Sequence, residues 1–101
     1  MEAACADLRD AVRREPGNAG VRILAARACE QAGESELAVQ VLRDGIVVPD
    51  ENLTLARALI DLHVRQGRRR TAKRLLEVWA RDYPGREEFS LWSDQIGDRE
   101  R

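Results

Sequence analysis

Apolar residues recur along most of the chain at three- and four-residue intervals, which is the spacing of one face of an α-helix. Five sets show it clearly: Leu8, Ala11 and Val12; Val21, Leu24, Ala25 and Ala28; Leu37, Val41 and Leu42; Leu55, Leu59 and Leu62; Leu75, Leu76 and Trp79. Turn-forming residues separate the sets: Pro16-Gly17-Asn18, Gly33, Pro49-Asp50, Gly67 and Pro84-Gly85. Strand signals are nearly absent, and we assign Ile46-Val47-Val48 to the end of a helix. The pattern predicts an all-α chain with helices over 2–15, 19–32, 35–48, 52–66, 69–82 and 86–96.

The predicted helices repeat with a period of 34 residues. Four pairs have this separation: Gly33 and Gly67, Ala38 and Ala72, Val41 and Leu75, Leu42 and Leu76. Each unit contains a helix, a tight turn and a second helix. A unit of this size cannot bury its own apolar face, so it stacks on its neighbours.

The repeat resembles the tetratricopeptide repeat, a 34-residue helix–turn–helix family with Gly, Ala, a large apolar residue and Pro at set positions. The matching residues are Gly33, Ala38 and Leu42 in one repeat and Gly67, Ala72, Leu76 and Pro84 in the next. The sequence departs from the family where Trp or Tyr is preferred, with Arg22 and Ala56 at the first position and Cys29 and His63 at the second. The resemblance implies an antiparallel helix-hairpin solenoid of about two full repeats, flanked by a half repeat and a C-terminal capping helix. Residues 1–97 would form this single domain, followed by a polar tail over 98–101.

Composition places the chain among small folded proteins of 101 residues with a formal net charge of −1. There is no global attraction to nucleic acid or to a membrane surface. No apolar run approaches the ~18 residues of a membrane helix. The first residues lack the basic and apolar segments of a secretory signal, so a cytoplasmic location is expected. The sequence leaves open whether the chain is one end of a longer array.

The resemblance also implies a groove, lined by the first helix of each repeat, that accepts a peptide or protein surface. Carried over by position, the groove residues are Ile23, Arg27, Glu30, Arg57, Asp61, Val64 and Arg65. Family members that clamp a C-terminal carboxylate have Lys and Asn where Ile23 and Arg27 stand here, so that specificity is not expected. The mixed charge suits a polar or acidic peptide, although two repeats make a short groove.

Basic residues concentrate in one segment, because 65–86 carries eight basic and two acidic residues. We call Arg68, Arg69, Arg70, Lys73 and Arg74 the basic strip. The i,i+4 pairs Arg69–Lys73 and Arg70–Arg74 place charge along a helix side. A solvated outer face, a site for an acidic protein surface and a nucleic-acid site all remain open. Nucleic-acid modules usually add interleaved aromatic residues or a strongly basic domain.

All four aromatic residues lie in the last quarter of the chain: Trp79, Tyr83, Phe89 and Trp92. We predict that Trp79, Phe89 and Trp92 form a capping cluster in which the last helix closes the stack. An exposed aromatic anchor for a partner is the alternative. At the other end, the first helix lacks a hairpin partner, and an open apolar edge there would permit a homodimer.

No motif indicates catalysis, a cofactor or a metal. Glycine-rich phosphate loops and nucleophile elbows are absent. His63 and Cys29 occupy equivalent repeat positions, about 10 Å apart by helix-packing distances, which is too far for a nucleophile pair. We expect His63 and Cys29 in the core, Cys5 half-exposed, and both cysteines as reduced thiols.

The sequence therefore predicts a non-enzymatic adaptor or assembly module without cofactors or a small-molecule substrate. Its partner would be a protein or peptide bound in the groove. A nucleic-acid-associated regulator that uses the basic strip and a structural homo-oligomer are the alternatives.

Overall fold

The computed structural model describes residues 2–97; the polar tail predicted for 98–101 lies outside this range. All regular structure within these residues is helical. The α-helices are α1 (Glu2–Arg14), α2 (Ala19–Gln31), α3 (Ser35–Gly45), α4 (Leu53–Arg65), α5 (Arg69–Asp82) and α6 (Glu87–Gly97). A short 3₁₀ helix, Pro49–Glu51, precedes α4. The all-α prediction is confirmed for this part of the chain. None of its helices has the length and apolar character needed to cross a membrane.

Helix ends follow the local signals in the sequence. Asn18 caps α2, because its side-chain oxygen accepts a hydrogen bond from the Val21 backbone N–H at 3.1 Å. Gly33 and Gly67 end α2 and α4 with φ of +82° and +79°, where a residue with a Cβ would be strained. Pro84 follows α5 two residues after its end at Asp82.

The predicted end of the third helix was wrong. α3 ends at Gly45, and Ile46, Val47 and Val48 are not helical. Val48 has φ −128° and ψ 111°, the extended conformation expected for a residue that precedes a proline. Steric conflict with the Pro49 ring therefore keeps Val48 out of the helical conformation, although the apolar run suggested a helix.

The described residues form two compact units, which divide between Leu59 and Ile60. In the first unit, α1 packs on α2 and α2 packs on α3. Val12, Ala25 and Val41 form a buried cluster at these contacts, with Leu8 and Val21 against it. In the second unit α5 packs on α6, and Phe89 of α6 is completely buried.

A disulfide joins Cys5 of α1 to Cys29 of α2, with Cα atoms 4.6 Å apart. The prediction of reduced thiols was therefore wrong, and so was the half-exposed position of Cys5, which is 4% exposed. Both residues lie twelve positions from Gly17, in the turn between the helices. Residues equally distant from such a turn face each other in an antiparallel hairpin, which explains the pairing. Disulfides are typical of oxidising compartments and rare in the cytoplasm. This bond therefore does not agree with the expected cytoplasmic location.

Candidate functional site

The predicted groove residues lie on two helices. On α2, Ile23 and Glu30 are half-buried and Arg27 is exposed. Their spacing of four and three residues places them on one side of the helix. On α4, Arg57, Asp61, Val64 and Arg65 follow the same rule, and only Arg65 is exposed. Each helix thus presents its own mixed-charge face, and a groove made by both faces stays a prediction.

The basic strip is not uniform. Arg68 donates from Nε to Nδ1 of His63 at 3.2 Å, across the turn between α4 and α5. Arg69 donates from Nη1 to the carbonyl oxygen of Ile96 in α6 at 3.3 Å. Arg70 and Arg74 are exposed on α5, and Lys73 is half-buried. Two members of the strip therefore hold the second unit together, which leaves three to act on a partner.

His63 is buried at 7% exposure, as expected of a core residue. Its Nδ1 accepts the hydrogen bond from Arg68. The Arg68 guanidinium thus has a structural partner, one residue beyond Gly67 in the turn between the helices.

The aromatic residues meet around Phe89. The Phe89 ring lies 5.4 Å from the Trp79 ring, 5.7 Å from the Trp92 ring and 6.4 Å from the Tyr83 ring, between centroids. Trp79 is buried and Trp92 is half-buried. Tilted and edge-to-face rings at these distances attract each other. The rings thus contribute to the packing of α6 on α5, and part of Trp92 remains accessible to a partner.

Arg22 was not predicted as a site residue, yet it has the most distinctive environment in the first unit. It is a buried arginine of α2, at 9% exposure. Its Nη1 donates to the carbonyl oxygen of Val41 in α3 at 2.8 Å, and its Nε donates to that of Pro16 at 3.0 Å. The sequence did contain a signal for this residue, because Arg22 is charged and stands where the tetratricopeptide family prefers Trp.

Two cavities of about 420 Å³ each border Arg22. Arg9, Val12 and Arg13 of α1 and Val41 and Asp44 of α3 also line the first. Gly45, Val47 and Leu55 are among the residues of the second, which opens beside the end of α3. Arg22 thus borders two solvent-accessible spaces and contributes polar atoms to the lining of each.

No metal centre accompanies these features among residues 2–97, because no three His, Cys, Asp or Glu side chains are grouped to hold an ion. Comparisons with models of known protein families, with curated proteins and with solved structures gave no match.

Proposed function

We propose that this chain is a tetratricopeptide-like interaction module that binds a protein or peptide partner through the exposed faces of α2 and α4. The main supporting observation is that the same helix ending occurs twice, 34 residues apart. At each, the glycine N–H donates to the carbonyl oxygen three residues before it, from Gly33 to Glu30 and from Gly67 to Val64, at 3.0 Å.

The residue after each glycine completes the motif. Glu34 donates its N–H to the carbonyl oxygen of Cys29, and Arg68 donates to that of His63, both at 2.8 Å. These are the two hydrogen bonds of a Schellman motif. The helices that follow, α3 and α5, each bury an alanine and a leucine at equivalent positions: Ala38 and Leu42 in α3, and Ala72 and Leu76 in α5. The α2–α3 and α4–α5 helix pairs thus have the same turn and bury residues at equivalent positions, which favours a repeat architecture.

Repeats of this kind act by presenting side chains from their first helices. Here those helices are α2 and α4, whose faces include Arg27 and Arg57 as cations and Glu30 and Asp61 as anions. Mixed charge of this kind complements a polar or acidic peptide. We propose no catalytic role for this chain.

The homodimer alternative has less support from α1 than the sequence suggested. In the part of the chain that the structure describes, the exposed large apolar residues are Leu24, Val47 and Leu91, and none of them belongs to α1. Leu8 and Val12 instead pack against α2 and α3.

The test is affinity capture from the native cell extract at low and moderate salt, with and without nuclease. The variant Arg27→Glu/Arg57→Glu should lose the captured protein while its helical circular dichroism is unchanged. The matched control Arg14→Glu/Arg43→Glu reverses two exposed arginines of α1 and α3 outside the proposed faces. It should retain the protein.

Equal capture by all variants would exclude the α2 and α4 faces. Loss of the captured material after nuclease would favour the basic strip and nucleic acid, with a steep dependence on salt. Elution of only the chain itself would indicate self-association.

A further inference from the structure

The cavity bordered by α1, α2 and α3 combines arginine side chains with some apolar surface. Its volume of about 420 Å³ lies in the range of small-molecule sites. The donors come from Arg9, Arg13 and Arg22, and Val12 and Val41 supply apolar surface. Such a combination suits a ligand with a charged group and a short carbon skeleton.

Arg22 is the fixed donor of this cavity. Its hydrogen bonds to Pro16 and Val41 use Nε and Nη1, and they do not account for the N–H groups of Nη2. Within residues 2–97, no buried side-chain nitrogen or oxygen lacks a hydrogen-bond partner. An Nη2 atom without a protein partner is therefore not fully buried. Because the other two nitrogens hold the guanidinium in place, little side-chain entropy is lost when Nη2 binds a ligand.

The charge of the lining favours an anion. Three arginines and one carboxylate, that of Asp44, give it a formal net charge of +2. Arg13 forms an exposed ion pair with Asp10, so part of its charge is already neutralised. Arg9 and Arg22 are therefore the main cationic groups, and Asp44 is the group that opposes an anion.

We propose that this cavity binds a small organic anion whose carboxylate or phosphate oxygens accept hydrogen bonds from Arg22 Nη2 and Arg9. Arginine matches both groups with parallel N–H donors. The carbon part of the ligand contacts Val12 and Val41. The site is separate from the proposed peptide-binding faces, because none of the residues proposed for those faces lines it.

Titration of the ¹⁵N-labelled chain tests this site. The probes are succinate, inorganic phosphate and glycerol phosphate, and succinamide serves as the uncharged match for succinate. The Arg22 Nε–H resonance should shift in a saturable manner with at least one anion and not with succinamide. Saturation by succinate identifies a carboxylate ligand. Saturation by glycerol phosphate but not by inorganic phosphate identifies a phosphate ester.

Two variants change the charge of the cavity while Arg22 remains in place, and a third variant is a control outside it. Arg9→Gln should weaken binding about tenfold, through loss of one charge-assisted hydrogen bond at a partly exposed site. Asp44→Asn should tighten binding about threefold, because it removes the opposing charge. Arg14→Gln is the control, since Arg14 is an exposed neighbour of Arg13 on α1 that does not line the cavity.

The same affinity for Arg9→Gln and Arg14→Gln would overturn the proposal, since it would show general attraction to a positive surface. Non-saturable shifts, or equal shifts with succinamide, would also overturn it. Both results are independent of partner capture, so this site and the proposed interaction function can fail separately.

Discussion

Arg22 lies across Gly45, in the space that a side chain on residue 45 would occupy. A Cβ added to Gly45 would lie 2.5 Å from Cδ and 2.7 Å from Nε of Arg22, and 3.0 Å from a methyl carbon of Leu55. The guanidinium cannot easily move away, because it is hydrogen-bonded to Pro16 and Val41. The C-terminal residue of α3 must therefore be small, because the buried Arg22 side chain of α2 packs directly against it.

The variant Gly45→Ala should therefore lower the free energy of unfolding by about 1–3 kcal/mol, the usual cost of overpacking. Chemical denaturation measures this change. Gly20→Ala is the matched control, because the added Cβ meets only Asn18 Oδ1, at 3.4 Å. Alanine is the better helix former, so this variant should be more stable by up to about 1 kcal/mol. Stabilisation by both substitutions would mean that Arg22 does not lie over Gly45.

The disulfide should make the first unit sensitive to reduction. It closes a loop with a sequence separation of 24, for which the chain-entropy model gives about 3–4 kcal/mol. Protein that is reduced while unfolded and then refolded should show a lower urea midpoint than the oxidised protein. The double variant Cys5→Ala/Cys29→Ala should have the same midpoint with and without reductant. Identical midpoints for oxidised and reduced wild-type protein would contradict the bond.

Replacement of either turn glycine, Gly33 or Gly67, should lower the free energy of unfolding by a similar amount. Gly33→Ala and Gly67→Ala each place a Cβ at a φ near +80°, which should destabilise the protein by about 1–2 kcal/mol. Gly17→Ala, at a position without positive φ and with open space around it, should change stability little. Thermal unfolding of the three variants provides the comparison. A neutral Gly67→Ala would argue against the second Schellman motif and so against the repeat.

Phe89 should dominate the stability of the second unit. It is completely buried among Trp79, Tyr83 and Trp92, so Phe89→Ala should cost about 3–5 kcal/mol. Near-ultraviolet circular dichroism should weaken in parallel, because the tryptophans lose their fixed neighbour. Leu91→Ala removes a side chain that is 55% exposed on the same helix, and should cost far less. Equal losses for the two variants would show that the rings do not form the cluster.

Asp10 should titrate below its ordinary value. The hydrogen bond and the positive charge of Arg13 hold the pKa of this exposed carboxyl below 3.8. Any stability it contributes is present above the unfolded-state pKa and is lost as the pH falls through the folded-state pKa. Carboxyl NMR titration should show a pKa rise towards 3.8 in Arg13→Gln and little change in Arg43→Gln, whose arginine lies on α3. An unchanged Asp10 pKa in Arg13→Gln would exclude the pair.

The positions of the helices could be predicted from the sequence to within a few residues, because their signals are local. Apolar spacing marked the first five helices, and Gly33 and Gly67 marked where two helices end. The exception is α3, where the helical interpretation of Ile46-Val47-Val48 ignored the effect of Pro49 on the residue before it.

The candidate sites were harder to predict from local sequence signals. Basic spacing on α5 suggested a continuous strip, but the Arg68 and Arg69 guanidinium groups bind His63 and the Ile96 carbonyl within the second unit. These partners lie on other helices, so the spacing of the arginines could not reveal them. The groove faces on α2 and α4 remain predictions of the same kind, based on spacing along each helix.

By itself, the sequence determined where most of the helices form and end, because apolar periodicity and positive-φ glycines act over a few neighbouring residues. Only the tertiary structure decided that Cys5 is bonded to Cys29 and that Arg22 is buried against Val41. These pairs are 24 and 19 residues apart in the chain. They meet because helices pack side by side, and both the disulfide and the buried guanidinium require a geometry that exists only after that packing.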